Sequence, residues 1–297
     1  MMDKKLVKLA MAPIGWTNDD LPDLGAENSF EQCISEMALA GYTGSEVGNK
    51  YPKDPAVLKP YLDVRGLTIC NQWFSSFLAS QSLSEVEKAF RAQLSFLKGV
   101  GARVIGPSEQ TRSCQGQDVS VFSGKAVFTA EEFKAVTTGM NHLGKIAKDE
   151  GMKLAFHHHM GTGIQTMEET ERFLNDTDPD AVYLLYDSGH FAFSEEDPVA
   201  ALKKFISRVG HVHLKDLRPA VYAEVRKADS SFLDAVRAGV FTVPGDGSID
   251  FPGIFTILEE NGYRGWMVVE AEQDPAKANP FVYAKKARDY IYENTGL

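Results

Sequence analysis

The sequence predicts a closed barrel of eight parallel strands and eight helices, an α/β fold. Three features predict it. Short apolar runs alternate with longer amphipathic ones eight times within 297 residues, and alternation of this kind implies parallel strands joined by helical crossovers. No linker, low-complexity stretch or composition shift divides the chain, so residues 1–297 read as one domain. No GxGxxG or GxxxxGKS/T follows any strand, which disfavours the runner-up, a doubly wound open sheet. Eight units in a chain of this length close most naturally into a (β/α)8 TIM barrel.

The elements follow in order. The first strand covers residues 9–15. Ser29 and Gln32 form a capping box for a helix that Gly41 stops. A strand at 44–48, a helix near 54–65 and a strand at 67–74 come next. Ser84 with Glu87 is expected to cap a long helix ending at Gly99 and Gly101, before a strand at 102–107. Thr129 with Glu132 caps a helix to about Glu150, followed by a strand at 152–159. Thr166 with Glu169 opens another helix, and 182–189 is a strand. The remaining pattern gives a helix at 197–208, a strand at 211–217, a helix at 250–262, a last strand at 265–272 and a helical tail around 283–292. Segments 108–128 and 218–249, after strands 4 and 7, are too long for simple loops. They leave the strand ends where barrel active sites sit and read as lid-like insertions.

Composition narrows the function. Lys plus Arg number 31 against 41 Asp plus Glu, a formal net charge of −10, which argues against nucleic-acid binding. No apolar run approaches the roughly 18 residues that span a bilayer, and the N-terminal stretch lacks the h-region of a signal peptide. Cys33, Cys70 and Cys114 lie outside any CxxC and read as reduced thiols, so a cytoplasmic location is expected.

Histidine placement carries the chemistry. Of seven histidines, His157, His158, His159, His190, His211 and His213 fall at the ends of strands 5, 6 and 7. His142 stands apart on a helix and reads as a surface residue. Side chains two apart share a strand face, so the mouth of the barrel should gather His157, Asp187, His213 and Glu270. Two imidazoles and two carboxylates suit Mn²⁺, Co²⁺, Fe²⁺ or Zn²⁺ better than Mg²⁺ or Ca²⁺. The alternative is a hydrogen-bonded polar layer without metal.

The succession AFHHHMGTG, LLYDSGH, HVHLKD, PGDGSIDF and GWMVVEAEQD resembles the xylose-isomerase-like TIM-barrel superfamily. Within it, APIGWTNDDLPDLGAEN, GYTGSEVG, QWFSS and HHHMGTGIQT are similar to the myo-inosose-2 dehydratases of inositol catabolism. The superfamily's metal pattern of Glu, Asp, His and Glu transfers to Asp187, His213 and Glu270, with His157 in place of the first glutamate. That leaves open whether His157, His159 or water fills this corner. The resemblance implies a hydro-lyase that converts scyllo-inosose (2-keto-myo-inositol) into a trihydroxycyclohexane-1,2-dione, with Mn²⁺ or Co²⁺ as cofactor. It also implies a glutathione requirement that nothing in the chain explains.

Such a reaction removes a proton alpha to a ketone and protonates a departing hydroxyl, so it needs an acid and a base. His190 and Lys215 are the candidates, with Glu46 and Glu272 in reserve; a neighbouring cation is expected to lower the Lys215 pKa. A salt bridge from Lys215 to Asp216 or another acid is the bland reading. Trp16, Asn18, Glu46, Trp73, Gln110, His159 and Glu272 are candidates for contact with a cyclic polyol ketone, with Asp19 and Gln115 beside them. Asn18 and Asp19 also fit a turn, and Asp246 a turn before the Asp250 cap. No nucleic-acid or membrane partner is expected; whether the chain forms a homo-oligomer is left open. The rivals are a sugar epimerase or ketose isomerase of the same superfamily, an endonuclease IV-like nuclease, and a non-catalytic barrel that binds metal or polyol.

Overall fold

A computed structural model describes residues 2–297. Nine strand segments form one parallel sheet: β1 (Val7–Met11), β2 (Gly44–Glu46), β3 (Thr68–Asn71), β4 (Trp73–Ser76), β5 (Val104–Glu109), β6 (Lys153–His157), β7 (Val182–Asp187), β8 (Val209–Leu214) and, after a small hairpin of β9 (Asp216–Leu217) with β10 (Phe241–Thr242), β11 (Gly265–Val269). The order is β3-β2-β1-β11-β8-β7-β6-β5-β4. The two ends, β3 and β4, are separated along the chain only by Gln72. Its carbonyl accepts from the Gly106 amide at 3.1 Å, which carries pairing across the break. The sheet is therefore a TIM barrel of eight strand positions, as the alternation predicted.

The third position departs from the single strand expected at 67–74. β3 pairs with β2 and β4 pairs with β5, and a register shift between Ser45 and Glu46 marks the same corner. Each half follows one neighbour, so the run kinks at Gln72. The long third helix also differs: it spans Leu83–Gly99, and Ser82 with Glu85 forms its capping box, in place of Ser84 with Glu87. Both pairs satisfy the same spacing, and the earlier one wins because the helix starts one residue after Ser82. The caps at Ser29, Thr129 and Thr166 are where the spacing placed them.

Strand alternation sorts the core. Phe156, Leu184, Tyr186, Val212 and Leu214 face outward into the large apolar cluster beneath the helices. Small side chains fill the lumen, with Ala10, Ala12, Cys70 and Val268 in one cluster and Val104, Ala155 and Leu185 in another. A Cβ on Gly44 would lie 2.4 Å from the Trp266 ring, so only glycine lets the barrel close that tightly there. Above this packed floor the lumen residues turn polar.

The two insertions are joined to each other. A bridge links Ser120 to Ser231, and Ser120 Oγ donates to Asp229 at 2.5 Å. They share a second apolar cluster that includes Val121, Phe193, Val225, Phe232 and Phe241. The second insertion carries helices Pro219–Lys227 and Phe232–Ala238.

Asp216 pins its return. The carboxylate accepts from the amides of Leu217 at 2.8 Å, Gly245 at 3.2 Å, Gly247 and Ser248 at 2.9 Å each, and Ile249 at 3.0 Å. It is not the partner of Lys215. Asp246 does more than shape a turn, since it accepts from Arg218, Thr242 and Lys286. Asp216→Ala strands several amides and is expected to lower unfolding free energy by about 3 kcal/mol in urea denaturation. No helix among the described residues is long and apolar enough to cross a membrane. The three cysteines are free and buried.

Candidate active site

At the C-terminal end of the strands, a cavity of about 610 Å³ opens above the lumen floor. Its size falls within the usual range for small-molecule sites. At its base, one donor atom from each of His157, Asp187, His213 and Glu270 lies within 4.8 Å of the others, and all four residues are buried; His157, His213 and Glu270 line the cavity and Asp187 lies behind them. Strand register produces this: Asp187 on β7 stands opposite His213 on β8, and Glu270 follows directly after β11.

Each imidazole turns one nitrogen to a partner outside the cluster and the other into it. His157 Nδ1 donates to the His158 carbonyl at 2.7 Å, so Nε2 faces Asp187 Oδ2 at 3.7 Å. His213 Nε2 lies 3.0 Å from Glu46 Oε1, while Nδ1 approaches Glu270 Oε2 at 2.6 Å and Asp187 Oδ2 at 3.4 Å. Asp187 Oδ2 is buried without a hydrogen-bond partner, facing the His213, Lys215 and His157 nitrogens at 3.4, 3.6 and 3.7 Å. A buried carboxylate oxygen of this kind, where two imidazoles and a second carboxylate converge, fits a divalent cation better than a hydrogen-bonded layer. Burial alone would raise the carboxyl pKa values of Asp187 and Glu270. His213 and Lys215 outweigh it and hold both below the usual range, so both stand ready as anionic donors.

Glu46, expected as a substrate contact, does two things. It lines the cavity, and it holds His213 and also His211 at 3.1 Å. A carboxylate behind a ligating histidine fixes the ring and raises its basicity. Glu46→Gln is expected to weaken metal affinity roughly thirtyfold, read by competitive titration against a metallochromic chelator.

His158 points away from the lumen, as alternation required. Its ring stacks on Phe191 with centroids 3.8 Å apart, and Nε2 accepts the Asp187 amide at 3.3 Å. His142 is on the surface, paired with Glu87 at 2.7 Å.

Beside the four-residue cluster lies a second group. The Lys215 ammonium, fully buried, is 2.7 Å from Glu270 Oε1, 3.0 Å from Glu272 Oε2, 3.0 Å from His190 Nε2 and 3.6 Å from Asp187 Oδ2. A Cβ on Gly189 would lie 2.4 Å from Lys215 Cγ, so glycine makes the slot for the stem. Burial pulls the Lys215 pKa down, but Asp187, Glu270 and Glu272 overcome it and hold the group above its ordinary value. The salt-bridge reading of Lys215 is realised with Asp187, Glu270 and Glu272, acids other than Asp216. His190 is held well below its ordinary value by burial, then by His159 and Lys215. Burial pushes the Glu272 carboxyl up to about 7, with Lys215 opposing and Glu270 reinforcing.

The cavity wall separates the candidates. His157, His159, His213, Glu270, Glu272, Glu46, Trp73 and Gln110 all line it. His190 and Lys215 lie beneath it, both fully buried. Trp73 sets its ring 5.3 Å from both His157 and His159. Gln110 donates to Ser108 at 3.1 Å. Trp16 and Asn18 are not part of the wall. The Trp16 indole is buried and donates to Glu36 at 2.6 Å. Asn18 shapes a turn, accepting from the amides of Asp20 and Leu21 at 2.9 and 2.8 Å. Asp19 and Gln115 do line the cavity, and so do Asp20, Asn49, Lys53 and Asn71, which the sequence reading passed over. Asn71 donates to Glu46 at 2.8 Å. Its signal was the polar pair Asn71-Gln72 closing an apolar strand.

Comparison with known proteins now adds to the geometry. The family model for xylose isomerase-like TIM barrels matches residues 34–293. The inosose dehydratases of Serratia proteamaculans and Clostridium beijerinckii are each 57% identical to the chain, over 299 and 298 residues, covering all of both proteins. That of Geobacillus thermodenitrificans is also 57% identical over its full length. Among solved structures, the IolI protein with a bound zinc atom superposes with a TM-score of 0.72 at 17% identity, covering 98% of this chain and 100% of that one. A D-allulose 3-epimerase from Methylomonas in complex with D-allulose gives 0.69 at 18% identity, covering 97% of each. These distant structures show the fold alone.

Proposed function

Since the chain belongs to the inosose dehydratases, within the xylose isomerase-like TIM barrels, we propose that its cavity dehydrates scyllo-inosose to a trihydroxycyclohexane-1,2-dione. The observation that carries this is the cluster of His157, Asp187, His213 and Glu270, with a buried Asp187 oxygen left without a hydrogen bond, at the base of the cavity. His157 Nε2, an Asp187 oxygen, His213 Nδ1 and a Glu270 oxygen would hold the metal. His159 does not belong to this set, since its donor groups with His190 and Glu272 instead. When bound, a divalent ion supplies Lewis-acid polarisation of the ketone. Mn²⁺ or Co²⁺ suits the two-nitrogen, two-oxygen set.

The rest of the work falls to side chains. Glu272 and His159 face the cavity within 4.8 Å of each other, close enough to act on one substrate. Glu272 takes the proton alpha to the ketone and, once protonated, hands it to the departing hydroxyl. His159, its pKa held down to about 4 by burial and Lys215 and its Nδ1–H donated to the Met160 carbonyl, is a neutral ring that offers Nε2 as an acceptor to a substrate hydroxyl. Lys215 and His190, under the wall, act as positioning residues: Lys215 anchors Glu272, and the His190 ring packs 3.9 Å from that of His159. Trp73 offers an aromatic face to ring C–H groups, while Gln110, Asn49 and Asp19 supply hydrogen bonds at the rim. The joined insertions help to exclude water. Nothing is assigned to glutathione. The free thiols are consistent with a cytoplasmic enzyme.

The test uses chelator-stripped protein, scyllo-inosose and either Mn²⁺ or Co²⁺, with ultraviolet absorbance of the dione as readout. Absorbance restored by metal supports the reading. Silence with both metals, accompanied by epimerisation of a ketose, overturns it in favour of the sugar-epimerase chemistry available to the same fold.

A further inference from the structure

The surroundings of Lys215 are those of a cation site. Its ammonium has four acceptors: a Glu270 oxygen, a Glu272 oxygen, the His190 Nε2 nitrogen and, at 3.6 Å, Asp187 Oδ2. Two of these, His190 and Glu272, also belong to a second group of potential ligands. His159, His190 and Glu272 bring one donor atom each within 4.8 Å, and all three are buried. Imidazole nitrogens with carboxylate oxygens make the donor set that divalent transition metals favour. Glu270 stands between the two groups, with Oε2 toward His213 and Oε1 toward Lys215, as a carboxylate bridging two cations would stand.

We propose that Lys215 is a built-in cation standing where a second divalent metal would otherwise bind, so that the site accepts one ion and refuses another. Electrostatics explains why a cation must be there. Glu46, Asp187, Glu270 and Glu272 are all buried within one network, and buried carboxylates persist only when paired. One divalent ion and one ammonium neutralise most of that charge. A tethered ammonium has a further property that a metal lacks: it cannot exchange with the medium or offer an open coordination position. The Gly189 slot and the Phe241 ring, 5.0 Å from the ammonium, hold it in place. The site is thereby committed to a single Lewis acid, with its second cation fixed by the sequence.

The inference rests on the proposed metal site at His157, Asp187, His213 and Glu270, and metal counting separates the two. Purified protein is stripped, equilibrated with Mn²⁺ or Co²⁺, freed of excess ion, and its metal content per chain measured. Wild type is expected to hold one equivalent. Lys215→Ala, which removes the charge and vacates its space, is expected to hold two, and its Mn²⁺ resonance should broaden through metal–metal coupling. Lys215→Met, neutral but space-filling, should stay at one. Lys215→Ala with Glu272→Gln, which removes an anionic ligand, should return to one. A single equivalent in Lys215→Ala overturns the proposal and leaves the first site standing. No metal in wild type overturns the underlying reading. If Lys215→Ala folds only with a cation in the buffer, it is purified with Mn²⁺ or Co²⁺ present and counted without stripping; two equivalents support the proposal and one overturns it.

Discussion

His213→Ala is expected to yield a folded protein that retains little Mn²⁺ or Co²⁺ and converts scyllo-inosose at least about a thousandfold more slowly. The ring makes two commitments at once, one nitrogen 2.6 Å from Glu270 and the other 3.0 Å from Glu46. Alanine removes a ligand and leaves two buried carboxylates facing an empty space. Metal content after dialysis and dione formation are the paired readouts. Near-normal turnover at full metal occupancy would remove His213 from the site. Its removal should exceed the effect of Glu46→Gln, which touches the metal only through this ring.

Glu272→Gln should produce the complementary defect. The amide keeps the size of the side chain but cannot accept the alpha proton, so kcat is expected to fall about a thousandfold while KM and metal content change little. The position fits this role: Glu272 lines the cavity, while Lys215, which anchors it at 3.0 Å, lies beneath. Loss of metal together with turnover would instead mark Glu272 as part of the binding network. Unchanged kcat would transfer the base to another wall residue, His159 first. Together the two variants separate ligand from proton carrier.

Much of this arrangement was legible in the sequence because it is written in local periodicity. Strand alternation assigns His157 and His159 to the lumen and His158 to the outside, and the stacking of His158 on Phe191 bears that out. Spacing of two likewise puts His211, His213 and Lys215 on one face. What the sequence concealed depends on partners far along the chain. The break at Gln72 arises because β3 and β4 follow different neighbours. Trp16 looked like a platform after strand 1 until its indole found Glu36. The acids around Lys215 come from β7 and the end of β11 rather than from its neighbour Asp216, which adjacency along the chain could not reveal. Glu46 is bound to histidines about 165 positions away, and Asn71 is drawn in with it.

The four residues of the cluster share a trait that bears on denticity. His157 spends its other nitrogen on a peptide carbonyl, and His213 spends its own on Glu46. Asp187 gives one oxygen to the amide of His190, where it starts the helix Ser188–Phe193. Glu270 turns one oxygen to Lys215. Each is thus restricted to a single free donor, and none can chelate on its own. Four such monodentate groups would leave a six-coordinate ion two positions for other ligands. A ketone and its neighbouring hydroxyl supply two oxygens, so the side contacts that tie up each second atom also set how much of the substrate the ion can grip.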